Sequence, residues 1–314
     1  MPELPDLTMY VEALSRRVVG HPLIHLRVLS PFLLRTVDPS TETLQRRPLR
    51  DIRLIGKRLV FEFDDELYVV LHLMIAGRLH WKTSAMTRLP RNGLAQFEFS
   101  HGTLLLTESG TTHRASLHLV RGRSALSEFD QGGIHPLTAS SEEFCAALRR
   151  ERHTLKRALT DPSLFSGIGN AYSDEILHRA KLSPVTLTTQ LDQESMISLY
   201  EAMRDVLHEW IERLREEVGE GFPERVTAFR EEMAVHGRYR RPCRTCGSPI
   251  QRIRYAENEA NYCATCQTGG RLLADRALSR LLKDDWPRSL EEWEQRRGRR
   301  NEDARPSSNV NRQM

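Results

Sequence analysis

Four cysteines late in the chain have the spacing that speaks most directly to chemistry. Cys243 and Cys246 are two residues apart, Cys263 and Cys266 likewise, and sixteen residues separate the pairs. Two such pairs supply four thiolates for tetrahedral sulfur ligation, the donor set of one structural zinc ion with no open position for catalysis. Gly247 follows the first pair and Gly269 the second, so each lies near a turn, and the stretch Ser248 to Tyr262 between them can form a hairpin. The competing readings are unrelated buried cysteines or a redox pair. A redox pair needs one CxxC in a βαβ setting, which is absent here. The fifth cysteine, Cys145, stands alone in a helical pattern and reads as an ordinary thiol.

The same region is basic. Arg238, Arg240, Arg241, Arg244, Arg252 and Arg254 fall within seventeen residues that contain no acid. Clustered guanidinium groups match phosphates, so a zinc-stabilised hairpin on nucleic acid is one reading. A solvated charged face is the other, and the run alone does not decide between them.

Two further signals carry less weight alone. Ser166-Gly167-Ile168-Gly169-Asn170 lies between two helical patterns. Its glycines allow a tight turn, and Asn170 can open the next helix, whose free amides suit a phosphate. A plain helix-turn-helix connection reads the same way. The chain starts Met1-Pro2-Glu3-Leu4-Pro5. The small Pro2 makes Met1 a target for removal, which would leave a secondary amine as the first group. An α-amino group titrates near pH ~8, far below lysine, so much of it is nucleophilic near neutrality. Such an amine can attack a sugar aldehyde carbon to give an iminium, an electron sink for elimination, with Glu3 beside it as general acid. An exposed chain end is the bland alternative.

These residues need elements to hold them. The chain has 314 residues, enough for two domains or three if one is small. Its net charge of +4 is a mild excess that is compatible with a nucleic-acid partner without requiring one. Hydrophobic residues at 39% and charged residues at 28% supply globular cores and exclude a disordered chain. No run approaches the ~18 apolar residues of a membrane span. The start lacks the pattern of a signal peptide, and the low, odd cysteine count argues against a disulfide framework, so a cytoplasmic location is expected.

The first 125 or so residues read as mostly β. Leu59 to Phe63, Leu67 to Leu71, Leu94 to Phe99 and Thr103 to Leu106 are short apolar, β-branched and aromatic runs. Short connections at Asp64-Asp65 and Ser100 to Gly102 predict antiparallel hairpins. One early helix is expected at about Leu7 to Val19. Asp130 to Pro136, with two glycines and a proline, marks a linker. Helices follow at Ser141 to Arg150, around Leu155 and Leu159, and around Ile176 to Ala180. A long one spans Leu191 to Leu214, with Met196, Leu199, Met203, Val206, Leu207 and Trp210 on one stripe. The expected division is 1–130, 137–222, a four-cysteine unit at 235–275 and a polar, Arg-rich disordered tail at 296–314.

MPELPD at the start, Gly56-Lys57-Arg58, His72-Leu73, the stretch SGIGNAYSDEILHRAKLSP and the four-cysteine unit ending YCATCQ occur in order from residue 2 to about residue 273. Together they resemble the formamidopyrimidine-DNA glycosylase and endonuclease VIII family of base-excision repair enzymes. Several motifs in the right order are far more specific than any one. The resemblance implies an α+β protein with an N-terminal antiparallel β-sandwich and flanking helix, a helical helix-two-turn-helix domain, and a zinc finger. DNA would lie across the cleft between the domains. Pro2 would be the nucleophile on C1′ of the damaged nucleotide, and Glu3 would protonate the sugar ring oxygen. Lys57 would hold a phosphate and act as an acid. His72 and Asn170 would contact phosphates around the flipped nucleotide, and Glu175 would support the Pro2 region. Cys243, Cys246, Cys263 and Cys266 would hold one structural zinc ion.

Departures from the family pattern narrow the expectation. The HLGMSG-type segment is His72-Leu73-Met74-Ile75-Ala76-Gly77, which leaves either Met74 or Ile75 as the side chain wedged into the duplex. The Arg-Phe pair usual in oxidised-purine enzymes is missing from Glu108 to Arg114. Asn258 stands where a fingertip Arg is usual, and Asp6 where Glu is common. The reading is a bifunctional DNA glycosylase and abasic-site lyase, monomeric, cytoplasmic, acting on damaged double-stranded DNA and no membrane. A non-catalytic binder of damaged DNA on the same fold is the first alternative, and a zinc-finger regulator unrelated to repair the second. The amine at Pro2 beside Glu3 argues against both, because a binder has no need of one.

Overall fold

The protein is described here by a computed structural model over residues 1–83, 90–110, 112–227, 229–255, 258–274 and 289–292. The expected tail at 296–314 lies outside the described residues, as does the end of the expected 235–275 unit.

The first helix, α1 (Leu4–Val18), starts three residues before the apolar pattern predicts. Its beginning is set by polar chemistry instead. The Asp6 carboxylate accepts a hydrogen bond from the Glu3 amide at 3.1 Å, and Pro5 sits in the first turn, where a missing N–H costs nothing. Eight strands follow: β1 (His25–Val28), β2 (Leu49–Ile55), β3 (Arg58–Phe63), β4 (Leu67–His72), β5 (Gly77–Lys82), β6 (Gly93–Phe99), β7 (Gly102–Glu108) and β8 (Ser116–Arg121). They form two antiparallel four-stranded sheets in the orders β1-β6-β7-β5 and β2-β3-β4-β8.

The four apolar runs read from the sequence are β3, β4, β6 and β7, the inner strands of the two sheets. The four strands without such a run are the edges. β2 carries Arg50, Asp51 and Arg53, and β5 alternates buried and half-buried positions, because an edge strand with one wet face keeps polar residues there. Side chains from both sheets, including Phe61, Val69, Phe97 and Leu104, share one core with Leu7, Tyr10 and Leu14 of α1. Leu4, at the start of the same helix, belongs to a different core.

That second core is helical. α2 (Arg123–Ser127) closes the strand region. α3 (Ser141–Arg149), α4 (Leu155–Thr160), α5 (Asn170–Arg179) and α6 (Gln193–Val218) then pack through Phe144, Leu159, Phe165, Ile176 and the expected α6 stripe from Met196 to Trp210. The Asp130 to Pro136 linker is not loose. Ile134 pairs with the segment before α5, accepting a bond from the Ser166 amide at 2.9 Å and donating to the Leu164 carbonyl at 3.0 Å. Finally β9 (Ile250–Tyr255) and β10 (Asn258–Cys263) form the expected hairpin, followed by the short α7 (Ala264–Thr268). Among the described residues no helix is long and apolar enough to cross a membrane.

Between α6 and β9 the described residues form neither helix nor strand, so their buried amides need other partners. Glu175 supplies them. Its carboxylate accepts from the amides of Ala234, Val235 and His236 at 2.6, 2.9 and 2.9 Å. Glu175→Ala would leave three amides unpaired in a largely buried setting. We expect it to lower the unfolding free energy by about 3 kcal/mol or more, read by urea titration. A change under about 0.5 kcal/mol would show that water replaces the carboxylate without cost.

Candidate active site and zinc centre

Glu3 is 97% shielded, with a relative exposure of 3%, and its carboxylate lies on the amino end of α5. It accepts hydrogen bonds from the amides of Gly169, Ala171 and Tyr172 at 2.7, 2.9 and 3.2 Å. These amides belong to the first turn, which has no intrahelical acceptor for them, and the helix dipole favours the negative group. The Leu4 amide also donates to the Gly167 carbonyl at 3.0 Å. The chain start and the Ser166 to Asn170 turn therefore form one unit, with the buried Pro2 beside it.

Gly169 is required by space rather than by backbone angle. A Cβ there would lie 2.5 Å from the Glu3 carboxyl and 2.6 Å from Lys57 Nζ. Lys57 arrives on the turn between β2 and β3. Burial lowers its pKa, opposed by the Glu3 charge and assisted by Lys156. The α-amino group of Met1 is likewise lowered by burial, with Glu3 acting in the other direction.

His72 ends β4, and its pKa is lowered to about 4, by burial first and then by Arg58, Lys57 and the chain's amino terminus. Its Nδ1 accepts from the Met74 amide at 3.0 Å, which leaves the proton of the neutral ring on Nε2 as a donor. Met74 is half-buried in a left-handed conformation, φ 53°, whereas Ile75 is 61% exposed. Of the two wedge candidates, Ile75 is the one whose side chain reaches solvent.

Asn170 opens α5 and is half-buried. Its carbonyl accepts from Lys156 Nζ at 2.6 Å, and the same ammonium is paired with Asp174 at 2.5 Å. Glu175 is placed differently from the expectation. All three of its hydrogen bonds go to residues 234–236, and none to Pro2 or Glu3, so it braces the approach to the finger. It is also buried, with a relative exposure of 6%. Glu108, where the Arg-Phe pair is missing, is buried too and accepts from the amides of Arg114 and Ala115, fixing that loop from within.

The four cysteine sulfurs lie within 4.8 Å of one another. Zn–S bonds of ~2.3 Å put the sulfurs of a tetrahedral site ~3.8 Å apart. Cys243 to Cys266 at 4.0 Å and Cys246 to Cys263 at 3.4 Å fit that span, so these four residues hold one structural zinc ion. His178 on α5 reaches Cys243 Sγ through Nε2 at 3.4 Å, and Gln267 ties the Cys263 amide to the Leu182 carbonyl.

The arginine cluster of the finger is only partly available to a ligand. Arg238 donates to the Pro242 carbonyl at 3.0 Å and Arg244 to the Glu231 carbonyl at 2.6 Å. Arg252 stacks on Tyr239 with 4.2 Å to the ring centroid and pairs with Glu259 at 3.4 Å. Intramolecular duties of this kind are invisible in a count of charges. Lys156, Asp174, His236 and Asn261 escaped the sequence reading altogether. His236 Nδ1 and Asn261 Nδ2 meet Asp174 Oδ2 at 2.8 and 3.2 Å. Only the helical spacing of Asn170 and Asp174 hinted that the latter faces the same way.

A sandwich, a helical unit whose third helix, α5, starts at a carboxylate-binding turn, and a four-cysteine finger define a DNA-repair type of architecture, and comparison with known proteins agrees. Residues 1–114 match the N-terminal domain model of formamidopyrimidine-DNA glycosylase, residues 133–219 its H2TH domain, and residues 241–269 the zinc finger found in FPG and IleRS. The chain is 32% identical to the formamidopyrimidine-DNA glycosylase of Desulforamulus reducens over 85% of its length and 99% of that protein. It is 40% identical to an uncharacterized formamidopyrimidine-DNA glycosylase-like protein of Mycobacterium tuberculosis, over 48% of this chain and 94% of that one. Lactococcus lactis Fpg in complex with DNA containing an abasic site superimposes with a TM-score of 0.74 at 25% identity, over 85% of this chain and 99% of that one. MutM bound to DNA containing carbocyclic 8-oxo-G gives 0.74 at 26% identity, over 85% and 100%. The chain belongs to the formamidopyrimidine-DNA glycosylase family, as its motifs indicated.

Metal analysis of freshly purified protein should return one zinc per chain. Cys246→Ser should lose it, and hydrogen exchange should then rise in β9 and β10 while β3 and β4 stay protected, because the finger is a local unit. Uniform loss of protection would mean that the metal holds the whole fold.

Proposed function

We propose that the protein is a bifunctional DNA glycosylase and abasic-site lyase of base-excision repair. The observation that carries this reading is the convergence of the Glu3 carboxylate, Lys57 Nζ and the first turn of α5 on Gly169, directly beside Pro2. Once Met1 is removed, the secondary amine of Pro2 attacks C1′ of the damaged nucleotide. The new N–C1′ bond displaces the base, which leaves with the electron pair of the N-glycosidic bond and takes up a proton, and the attached amine gives up its own proton. Glu3 protonates the sugar ring oxygen, the C1′–O4′ bond breaks, and the nitrogen lone pair forms the iminium with C1′. A proton then leaves C2′, the electrons move into the iminium, and the 3′ phosphate departs by elimination. Water finally hydrolyses the Schiff base and restores the amine.

The surroundings suit these steps. Burial lowers the α-amino pKa at this end of the chain, which favours the free amine that must attack. Lys57 is nearby to hold a phosphate and to act as an acid, and its own pKa is lowered in the same way. His72 donates from Nε2 as a neutral ring, so its grip on a phosphate does not depend on protonation near neutral pH. Asn170 provides a further donor at the helix start. The target nucleotide must leave the stack to reach this enclosed site, and Ile75 is the exposed apolar side chain available to fill the gap.

Borohydride should therefore link the protein to an abasic-site duplex through residue 2. Pro2→Gly should weaken trapping and retention of Met1 should abolish it. An adduct mapped to an internal lysine would refute the assignment, and no adduct at all would favour a non-catalytic binder.

Lesion preference follows from what surrounds the gap. Unstacking a base costs a few kcal/mol, least where the base is already lost. The Glu108 to Arg114 loop brings no Arg-Phe pair to offset that cost, and its carboxylate is spent on its own backbone. Single-turnover cleavage should be at least about tenfold slower for 8-oxoguanine opposite cytosine than for an abasic site, a barrier difference of ~1.4 kcal/mol. Ring-opened purines or oxidised pyrimidines should be the better base substrates. Equal rates for 8-oxoguanine and the abasic site, with strong discrimination against adenine opposite, would contradict this.

A further inference from the structure

The cations beside Pro2 continue outward across one sheet. In β3, β4 and β8, Arg58 lies opposite His72 and His72 opposite Ser116. Leu59, Leu71 and Leu117 of these strands point into the sandwich core, so Arg58, His72, Ser116 and His118 occupy the outer face. The segment Leu33 to Thr36 runs along the free edge of β8. The Arg35 amide donates to the Leu117 carbonyl at 2.9 Å, and Thr36 Oγ1 accepts from the Leu119 amide at 2.8 Å. Arg35 thus stands next to His118.

Phe129 orders the middle of this row. The Arg58 guanidinium lies 5.9 Å from its ring centroid and donates to its carbonyl at 3.4 Å. His118 meets the same ring edge-on at 5.0 Å. The pKa of His118 is pushed down by burial and then by Arg58 and Arg35, so both cations lie close enough to act on it. Among the described residues none of Arg35, Lys57 and Arg58 is ion-paired. At the opposite end of the same sheet the arrangement is reversed: Arg50 is paired with Asp64 and Arg47 with Asp65.

Cations gathered at one end of a sheet, without ion-paired carboxylates among the described residues, favour an anion there. We propose that Arg58, His118 and Arg35 form a second phosphate-binding row, which holds the DNA backbone beyond the phosphates gripped by Lys57 and His72. This rests on the reading that the damaged duplex lies over Pro2. Three inter-strand steps of ~4.8 Å give the row a length of ~14 Å. One strand carries a phosphate per ~3.4 Å of helix axis, so the row spans about four nucleotides. Arg58 is held in place by Phe129, and Arg35 is exposed at the end of the row.

The test is binding of an uncleavable duplex carrying a tetrahydrofuran abasic analogue, measured across a salt series with full-length protein. Arg35→Ala and Arg58→Gln should each weaken affinity about fivefold and reduce the slope of log K against log salt by ~0.9. Arg50→Ala, at the far end of the sheet, should change neither. Unaltered affinity and slope in Arg35→Ala and Arg58→Gln would overturn the row. So would an equal loss in Arg50→Ala, because net charge alone would then be read. Arg35 is exposed and makes no side-chain contact with the linker, so its variant guards against a folding defect in Arg58→Gln. Row-dependent binding without borohydride trapping in the wild type would sink the proposed reaction and leave the row standing.

Discussion

The contact on which the molecule depends is the Glu3 carboxylate on the amino end of α5. Its partners are 166 to 169 residues away in sequence. It closes a first helical turn that has no other acceptors, and it fixes the chain start against the helical core. α1 is shared accordingly: Leu4 packs with the helices and Leu7, Tyr10 and Leu14 with the sandwich. A residue with any side chain at position 169 would displace both Glu3 and Lys57. Under the proposed reaction this means that the nucleophile, the acid and the phosphate donors are positioned by one backbone turn, where an error of ~1 Å can cost about a hundredfold in rate.

Burial then sets the protonation of the groups gathered there. The α-amino group, Lys57 and His72 all have lowered pKa values, and desolvation is the leading cause for each. For His72 the sign is clear. Its folded value of about 4 lies below the ordinary 6.5, so the folded state holds fewer protons in that window. Its contribution to stability is complete above about pH 6.5 and is lost as pH falls toward 4. Asp6 runs in the opposite sense. Burial raises it to about 6 despite the nearby Arg230, so its carboxylate is costly to the fold above that pH and neutral below it. Neutral to mildly acidic conditions therefore suit the site better than strong acid, where His72 would charge among Arg58 and Lys57.

How much of this was legible in the sequence follows from where each residue's partners lie. The zinc ligands were readable because their spacing is itself the chemistry, and the central strands because burial on both faces leaves continuous apolar runs. The edge strands β1, β2, β5 and β8 were not, since a strand with one wet face resembles a loop in composition. Pro2, Glu3, Lys57 and Asn170 emerged through motifs whose order was specific, and these four do come together at one turn. Glu175 was expected to support the Pro2 region, and its carboxylate meets amides 59 to 61 residues away that no local pattern marks. The finger arginines were left undecided for a related reason: a guanidinium that binds a carbonyl or stacks on Tyr239 counts the same in composition as one left for a phosphate.

α5 joins the finger to the turn that holds Glu3. Its first turn receives Glu3, and Asn170 offers its carbonyl to Lys156. One turn later Asp174 takes the other side of Lys156 and binds His236 and Asn261, which belong to the approach to the finger and to β10. Glu175 holds the amides of residues 234–236, and His178 at the far end touches the Cys243 sulfur. A buried carboxylate with three partners is costly unless all remain in place, so loss of any one would loosen the others. The finger is thus oriented by the same helix whose first turn receives Glu3. Under the proposed reaction, a finger with no Arg at position 258 would meet DNA at a distance from Pro2 that α5 sets rather than the strength of its own grip.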